Sequence, residues 1–218
     1  MCWSATADLT AGCVVAGIGV LGMGLARELS DVPLAALPVL LGAHQLIESQ
    51  IWSRSPGAGA VLRGTAVTAW TVIAFVVLPV FVPLALLIAE RERRRIQYAT
   101  AAVGLAVAAF MGVAVGSGVH ATDDGHVMDY GVGVPWLPVF LVGYLVATCV
   151  PFLTSHEPTT RELGVALLLG AALAALIDAV AFASVWCAFA AVVSVLILRR
   201  TVHVSQPVAD SCSSAGEG

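Results

Sequence analysis

The chain alternates long apolar runs with short polar interruptions, and the run lengths set its architecture. Five runs stand apart: Asp8–Ala26, Val32–Trp52, Ala66–Ala89, Ile96–Ser117 and Val134–Leu153. Each approaches the roughly 20 residues that an α-helix needs to cross a bilayer core. A further run, Leu163–Leu198, is 36 residues long with a single charge, Asp178. As one helix it would reach about 54 Å, against an apolar core of about 30 Å. It must pass twice, turning near Asp178, and the total becomes seven spans. The pattern therefore predicts an all-α, polytopic membrane protein, a seven-transmembrane-helix bundle forming one domain over residues 1–200. The Ser/Ala/Gly-rich remainder, 201–218, is expected to be a disordered cytoplasmic tail.

Breakers refine the spans. Gly12, Gly17, Gly19, Gly22 and Gly24 give span one a small-residue surface suited to close helix packing. Pro33 suits a first turn, whereas Pro38 kinks span two unless the helix begins later than the apolar run. Pro79 and Pro83 interrupt span three. The one long polar loop, His120–Tyr130, separates spans four and five.

Composition narrows the class. The chain is 59% hydrophobic and 11% charged, against about 25% charged in a soluble domain. With a mean hydropathy of +0.95, it cannot fold in water without exposing large apolar patches, so we expect a multi-pass protein of the cell membrane. Membrane lipid is the implied surroundings, and the dispersed net charge of −4 points to no nucleic acid. All ten basic residues are Arg, which excludes lysine-amine chemistry, a retinal Schiff base included. With the N-terminus outside, eight arginines (27, 91, 93, 94, 95, 161, 199, 200) fall inside and two (54, 63) outside, a positive-inside pattern that puts the C-terminus in the cytoplasm. Cys13, Cys149 and Cys187 lie in apolar runs and read as small hydrophobes, while Cys2, directly after Met1, is not expected to be a lipoprotein acylation site.

The stretch Gly42–Trp52 carries the most unusual polar content. His44 and Glu48 are four residues apart and share one helix face, flanked by Gln45 and Trp52. Ionisable groups inside an apolar span are costly and need a partner or a task. The expected topology places this half of span two on the outer side. Cys2 and Ser4, the loop with His120, Asp123, Asp124, His126 and Tyr130, and the start of span seven with Ser184, Trp186 and Cys187 fall on that side too. An outward-opening polar pocket follows, with Glu48, Gln45, His44, Trp52, Cys2, Ser4, His126, Tyr130, Ser184, Trp186 and Cys187 as candidate ligand-binding residues. Glu48 is expected to face the bundle interior and to meet a polar group from the N-terminal segment, the His120–Tyr130 loop or span seven. His44, Glu48, His120, Asp123, Asp124 and His126 are also the residue types that hold zinc or a similar divalent metal, although their spacing matches no standard ligand motif. Plainer readings stand beside these. His44 and Glu48 can be a structural polar contact, the loop a solvated connection, and Trp52, Trp136 and Trp186 an interfacial aromatic belt.

The opening Met1-Cys2-Trp3-Ser4-Ala5, the Gln45-Leu46-Ile47-Glu48 segment with Trp52, the His126–Tyr130 loop and Ser184-Val185-Trp186-Cys187 together resemble a bacterial integral-membrane family whose members begin Met-Cys-Phe-Ser-Ala. The resemblance spans nearly the whole chain and implies a helical membrane protein without supplying an activity. Trp3 replaces the usual Phe, and His44 stands where relatives would carry Gln, so Glu48 weighs more than His44. Seven-helix zinc hydrolases of the alkaline ceramidase type share the helix count, but they need a His-x-x-x-His pair in the last helix, and span seven has no His. The leading expectation is a small-ligand or ion-binding membrane protein of sensor or transporter type. A metal-dependent membrane hydrolase and an accessory subunit of a membrane complex are the alternatives.

Overall fold

A computed structural model describes residues 4–90, 94–125, 127–134, 136–177 and 182–204; the side chains of 94, 137, 174–177 and 182–188 are outside the description. Helices dominate: α1 (Ala5–Leu25), α2 (Val32–Ala35), α3 (Leu37–Ser53), α4 (Thr65–Val72), α5 (Leu78–Ala89), α6 (Arg94–Gly116), α7 (Leu137–Leu153), α8 (Pro158–Ile177) and α9 (Phe182–Val204). A π-helical turn, Ile73–Val77, joins α4 to α5 in one continuous rod, and α2 runs into α3 across Ala36. The described residues thus form seven helical rods. Among them, Ala5–Leu25, Val32–Ser53, Thr65–Ala89 and Arg95–Gly116 are each long and apolar enough to cross a membrane.

The prolines of the α2–α3 rod act where the sequence suggested, whereas Pro79 and Pro83 do not break theirs. The break at Ala36 leaves Pro38 in the first turn of α3, where its missing N–H costs nothing. Pro79 likewise sits in the first turn of α5, just after the π turn, and Pro83 is carried inside α5. The 36-residue apolar run resolves into α8 and α9, and the expected turn at Asp178 lies outside the described residues. Two ends differ from expectation. Helix α8 starts five residues before Leu163, and α9 runs on to Val204, with Thr201 buried and its hydroxyl donating to the Ile197 carbonyl. The remainder of the expected tail, 205–218, lies outside the described residues.

Neighbouring rods pack in chain order, and α9 closes the ring against α1. The tightest seam is α1 on α3, because glycines let the backbones meet. A Cβ on Gly42 would stand 2.6 Å from the Ala16 nitrogen, and one on Gly19 2.6 Å from the Val39 nitrogen. Gly104 of α6 rides on the Pro79 carbonyl in the same way. A core of Leu34, Leu86, Phe152, Leu163 and Ile197 fills one half of the ring.

The polar loop between α6 and α7 is not merely a solvated connection. It folds as a hairpin, β2 (Val119–Asp123) with β3 (Met128–Val132), and β1 (Val61–Leu62) from the α3–α4 connection pairs with β2 to complete an antiparallel sheet in the order β1-β2-β3. Val119, Ala121 and Met128 turn inward onto Ile51, Val67 and Trp70. The connections after α3 and α6 therefore share one end of the bundle. The opposite end is tied by a buried ion pair from Arg200 of α9 to Asp31, 2.9 Å, with the Arg200 Nε–H donating to Thr160 of α8 at 2.9 Å. There Ser155 also donates to Glu90. The described connections thus alternate between the two ends of the bundle.

Candidate functional site

Helix α3 turns His44, Gln45, Glu48 and Ser49 into the bundle, all four buried. The i, i+4 spacing of His44 and Glu48 puts both on one helix face, with Gln45 and Ser49 beside them. Glu48 is fully enclosed, and its Oε2 accepts a hydrogen bond from the Trp70 indole N–H at 3.1 Å. This partner sits on α4, not on the N-terminal segment, the hairpin or the last helix where the sequence directed attention. Ser49 donates to the Ala5 carbonyl at 2.7 Å and locks α3 to the start of α1.

Trp70 organises the site. Its ring lies 4.3 Å from the His44 ring and stacks on Tyr130 of β3 at 3.5 Å, nearly parallel, with Phe75 edge-on at 6.3 Å. An aromatic column therefore runs from the bundle interior into the sheet. Trp70 escaped the sequence reading because a tryptophan near the end of an apolar run resembles an interfacial anchor.

Beneath this column lies a cavity of about 70 Å³, room for several waters or a small molecule by the measure of about 10–15 Å³ per water. Its walls come from α3, the α4–α5 rod, α7, α8 and α9. His44, Gln45, Trp70, Tyr144 and Thr148 supply its polar atoms, and leucine, valine, alanine and phenylalanine supply the rest. The Thr148 hydroxyl donates to the Tyr144 carbonyl at 2.8 Å. Tyr144 and Thr148 were missed, since single polar residues in an apolar run carry no periodic signal.

The other candidates divide. Tyr130 joins the site through its stack on Trp70. Trp52 is half-buried against the sheet-side core. Ser4 is exposed and caps α1, accepting from the Ala7 N–H at 3.2 Å. Cys2 and His126 fall outside the described residues, as do the side chains of Ser184, Trp186 and Cys187 on the first turns of α9.

The metal grouping is only partly within the described residues, since His126 lies outside them. Among the described residues, no three His, Cys, Asp or Glu side chains gather closely enough to hold an ion. His44 and Glu48 meet Trp70 instead. His120 lies across its cross-strand partner Gly131, where an added Cβ would come within 2.3 Å of Nε2. Asp123 is a buried clamp that accepts from the Ser55 hydroxyl and from the Gly125 N–H at 2.7 Å. Its neighbour Asp124 is exposed in the hairpin turn, with its N–H on the Val127 carbonyl.

The fold and cavity define a ring of apolar helices around a central pocket, closed at one end by a small sheet. A family profile matches residues 1–212, and the chain belongs to that family, described as a family of unknown function (DUF6629). No curated protein and no solved structure matches it.

Proposed function

We propose that this chain is a multi-pass protein of the cell membrane, of sensor or transporter type, that binds a small ligand in its central cavity. It crosses the bilayer seven times, with the N-terminus and the sheet outside and the Asp31–Arg200 end in the cytoplasm. Four apolar rods of membrane-spanning length support the embedding, as do outward-facing side chains such as Val113, 74% exposed, and Leu169, 65% exposed, which lipid would cover. The Arg distribution supports the orientation. Cysteine labelling of a chain with Ser55→Cys, Asp124→Cys or Arg95→Cys tests it: the first two should react with an impermeant reagent from outside, the third only after permeabilisation.

The observation that carries the binding role is the cavity itself, because a close-packed interior seldom leaves space for several waters unless something occupies it. The π turn at its wall, Ile73–Val77, adds support, since such turns gather at functional positions. Native mass spectrometry of the chain released from lipid nanodiscs tests the role. We expect a non-covalent small-molecule adduct that is lost in Ala74→Phe, which fills the cavity wall. An adduct that survives this substitution would place the ligand elsewhere.

A further inference from the structure

Building on the reading of the cavity as a ligand site, we propose that its ligand is an uncharged amphiphile with one hydrogen-bonding head and an apolar chain. The head sits at the His44–Gln45 level and the chain points toward the Asp31–Arg200 end.

The lining is sorted along the bundle axis. At about 1.5 Å per residue, Trp70 stands about 8 Å from the sheet-side start of α4, Tyr144 about 10 Å from the start of α7, and Gln45 about 12 Å from the end of α3. The Cα atoms of these three residues thus fall within about 4 Å of one another along the axis, and the His44 ring lies beside that of Trp70. Farther along, Leu37 lies at the far end of α3, Phe152 one residue from the end of α7, and Val82 about 25 Å down its rod. That part of the wall is hydrocarbon. Among the described residues, the lining contains no Asp, Glu or Arg. Glu48 is excluded from the wall, with its carboxyl group turned to the indole of Trp70. A charged head would find no counter-ion among the described lining residues, at a cost far above what one neutral hydrogen bond returns. A neutral hydroxyl or amide matches the chemistry of the Gln45 side chain, an uncharged amide that carries both donors and an acceptor.

Equilibrium dialysis of radiolabelled octan-1-ol, octanoate and octylammonium against the full chain in lipid nanodiscs, with empty nanodiscs subtracted, tests the assignment. Octan-1-ol should bind saturably. Octanoate and octylammonium should bind at least about tenfold more weakly, each missing an ion partner. Gln45→Leu should weaken octan-1-ol by about threefold to tenfold, and Ala74→Phe should abolish its saturable binding. If Ala74→Phe does not fold, Ala190→Phe on α9 makes the same test. Octanoate or octylammonium binding as tightly as octan-1-ol would overturn the neutral-head assignment and leave the proposed pocket standing. Octan-1-ol binding unchanged in Gln45→Leu would overturn the placement of the head. No saturable binding of any probe by a folded chain, or binding indifferent to the filled cavity, would overturn both the assignment and the pocket.

Discussion

At the scale of single residues, Glu48 and Trp70 depend on each other. A carboxyl group with no solvent access needs donors, and the indole N–H is one. Trp70→Phe preserves a ring for the Tyr130 stack but removes that donor, and should lower stability by about 1–3 kcal/mol, read as a drop in the thermal unfolding midpoint. Gly42 makes a sharper case. Gly42→Ala would drive a methyl group against the backbone of α1, 2.6 Å from the Ala16 nitrogen, and should cost about 1–3 kcal/mol. Gly17→Ala meets nothing within 4 Å and should unfold within about 0.5 kcal/mol of the parent. His44 and Glu48 were legible because ionisable groups at helical spacing contrast with an apolar run. Gly42 was not, because only the facing helix shows which glycines in the chain are touched.

Among the elements, the helices were readable and the sheet was not. Seven apolar runs became seven rods because length and hydropathy are properties of each run alone. The hairpin had a local signature, with alternating apolar positions at Val119, Ala121 and Met128 around Asp124-Gly125, a turn pair. The ionisable residues of that loop drew attention to metal chemistry instead, and β1 is too short to announce itself. The start of α8 carries a pH-dependent contact. Partial burial of Glu157 works against its charge. Donation from the Thr159 hydroxyl, the Thr160 N–H at 2.8 Å and the Thr160 hydroxyl outweighs this and holds the carboxyl below the usual carboxylate range. A depressed folded-state value stabilises the helix start above the unfolded carboxylate range, about pH 4.3, and the contribution fades as pH falls through the folded value. Acid titration of the unfolding midpoint should therefore show a shallower decline for Glu157→Gln than for the parent. Equal slopes would remove Glu157 from the acid response.

Across the whole molecule, the Arg200–Asp31 pair connects residues 169 positions apart in the chain. Sequence counted Arg200 only among the arginines expected inside, yet it is 3% exposed. Its partner could not be foreseen, because only the closure of α9 onto the start of the bundle brings Asp31 within reach. Asp31→Asn strands a buried guanidinium and should cost about 3–5 kcal/mol. Asp31→Asn combined with Arg200→Met should recover much of the loss, as measured by denaturant unfolding in detergent. A double variant no more stable than Asp31→Asn alone would mean that Arg200 matters for packing rather than for its charge.

The three-stranded sheet also has a mechanical consequence. Its ladder crosses from the α3–α4 connection to the α6–α7 connection, so these two parts of the ring are riveted together at that end like planks under a crossbar. Spreading them there would shear backbone hydrogen bonds and the Asp123–Ser55 clamp at once. Among the described residues, the far end is tied instead by side-chain contacts, the Asp31–Arg200 pair with Thr160 and the Ser155–Glu90 bond. If the ring rocks, the sheet is its fulcrum, and the travel is greatest at the Asp31–Arg200 end.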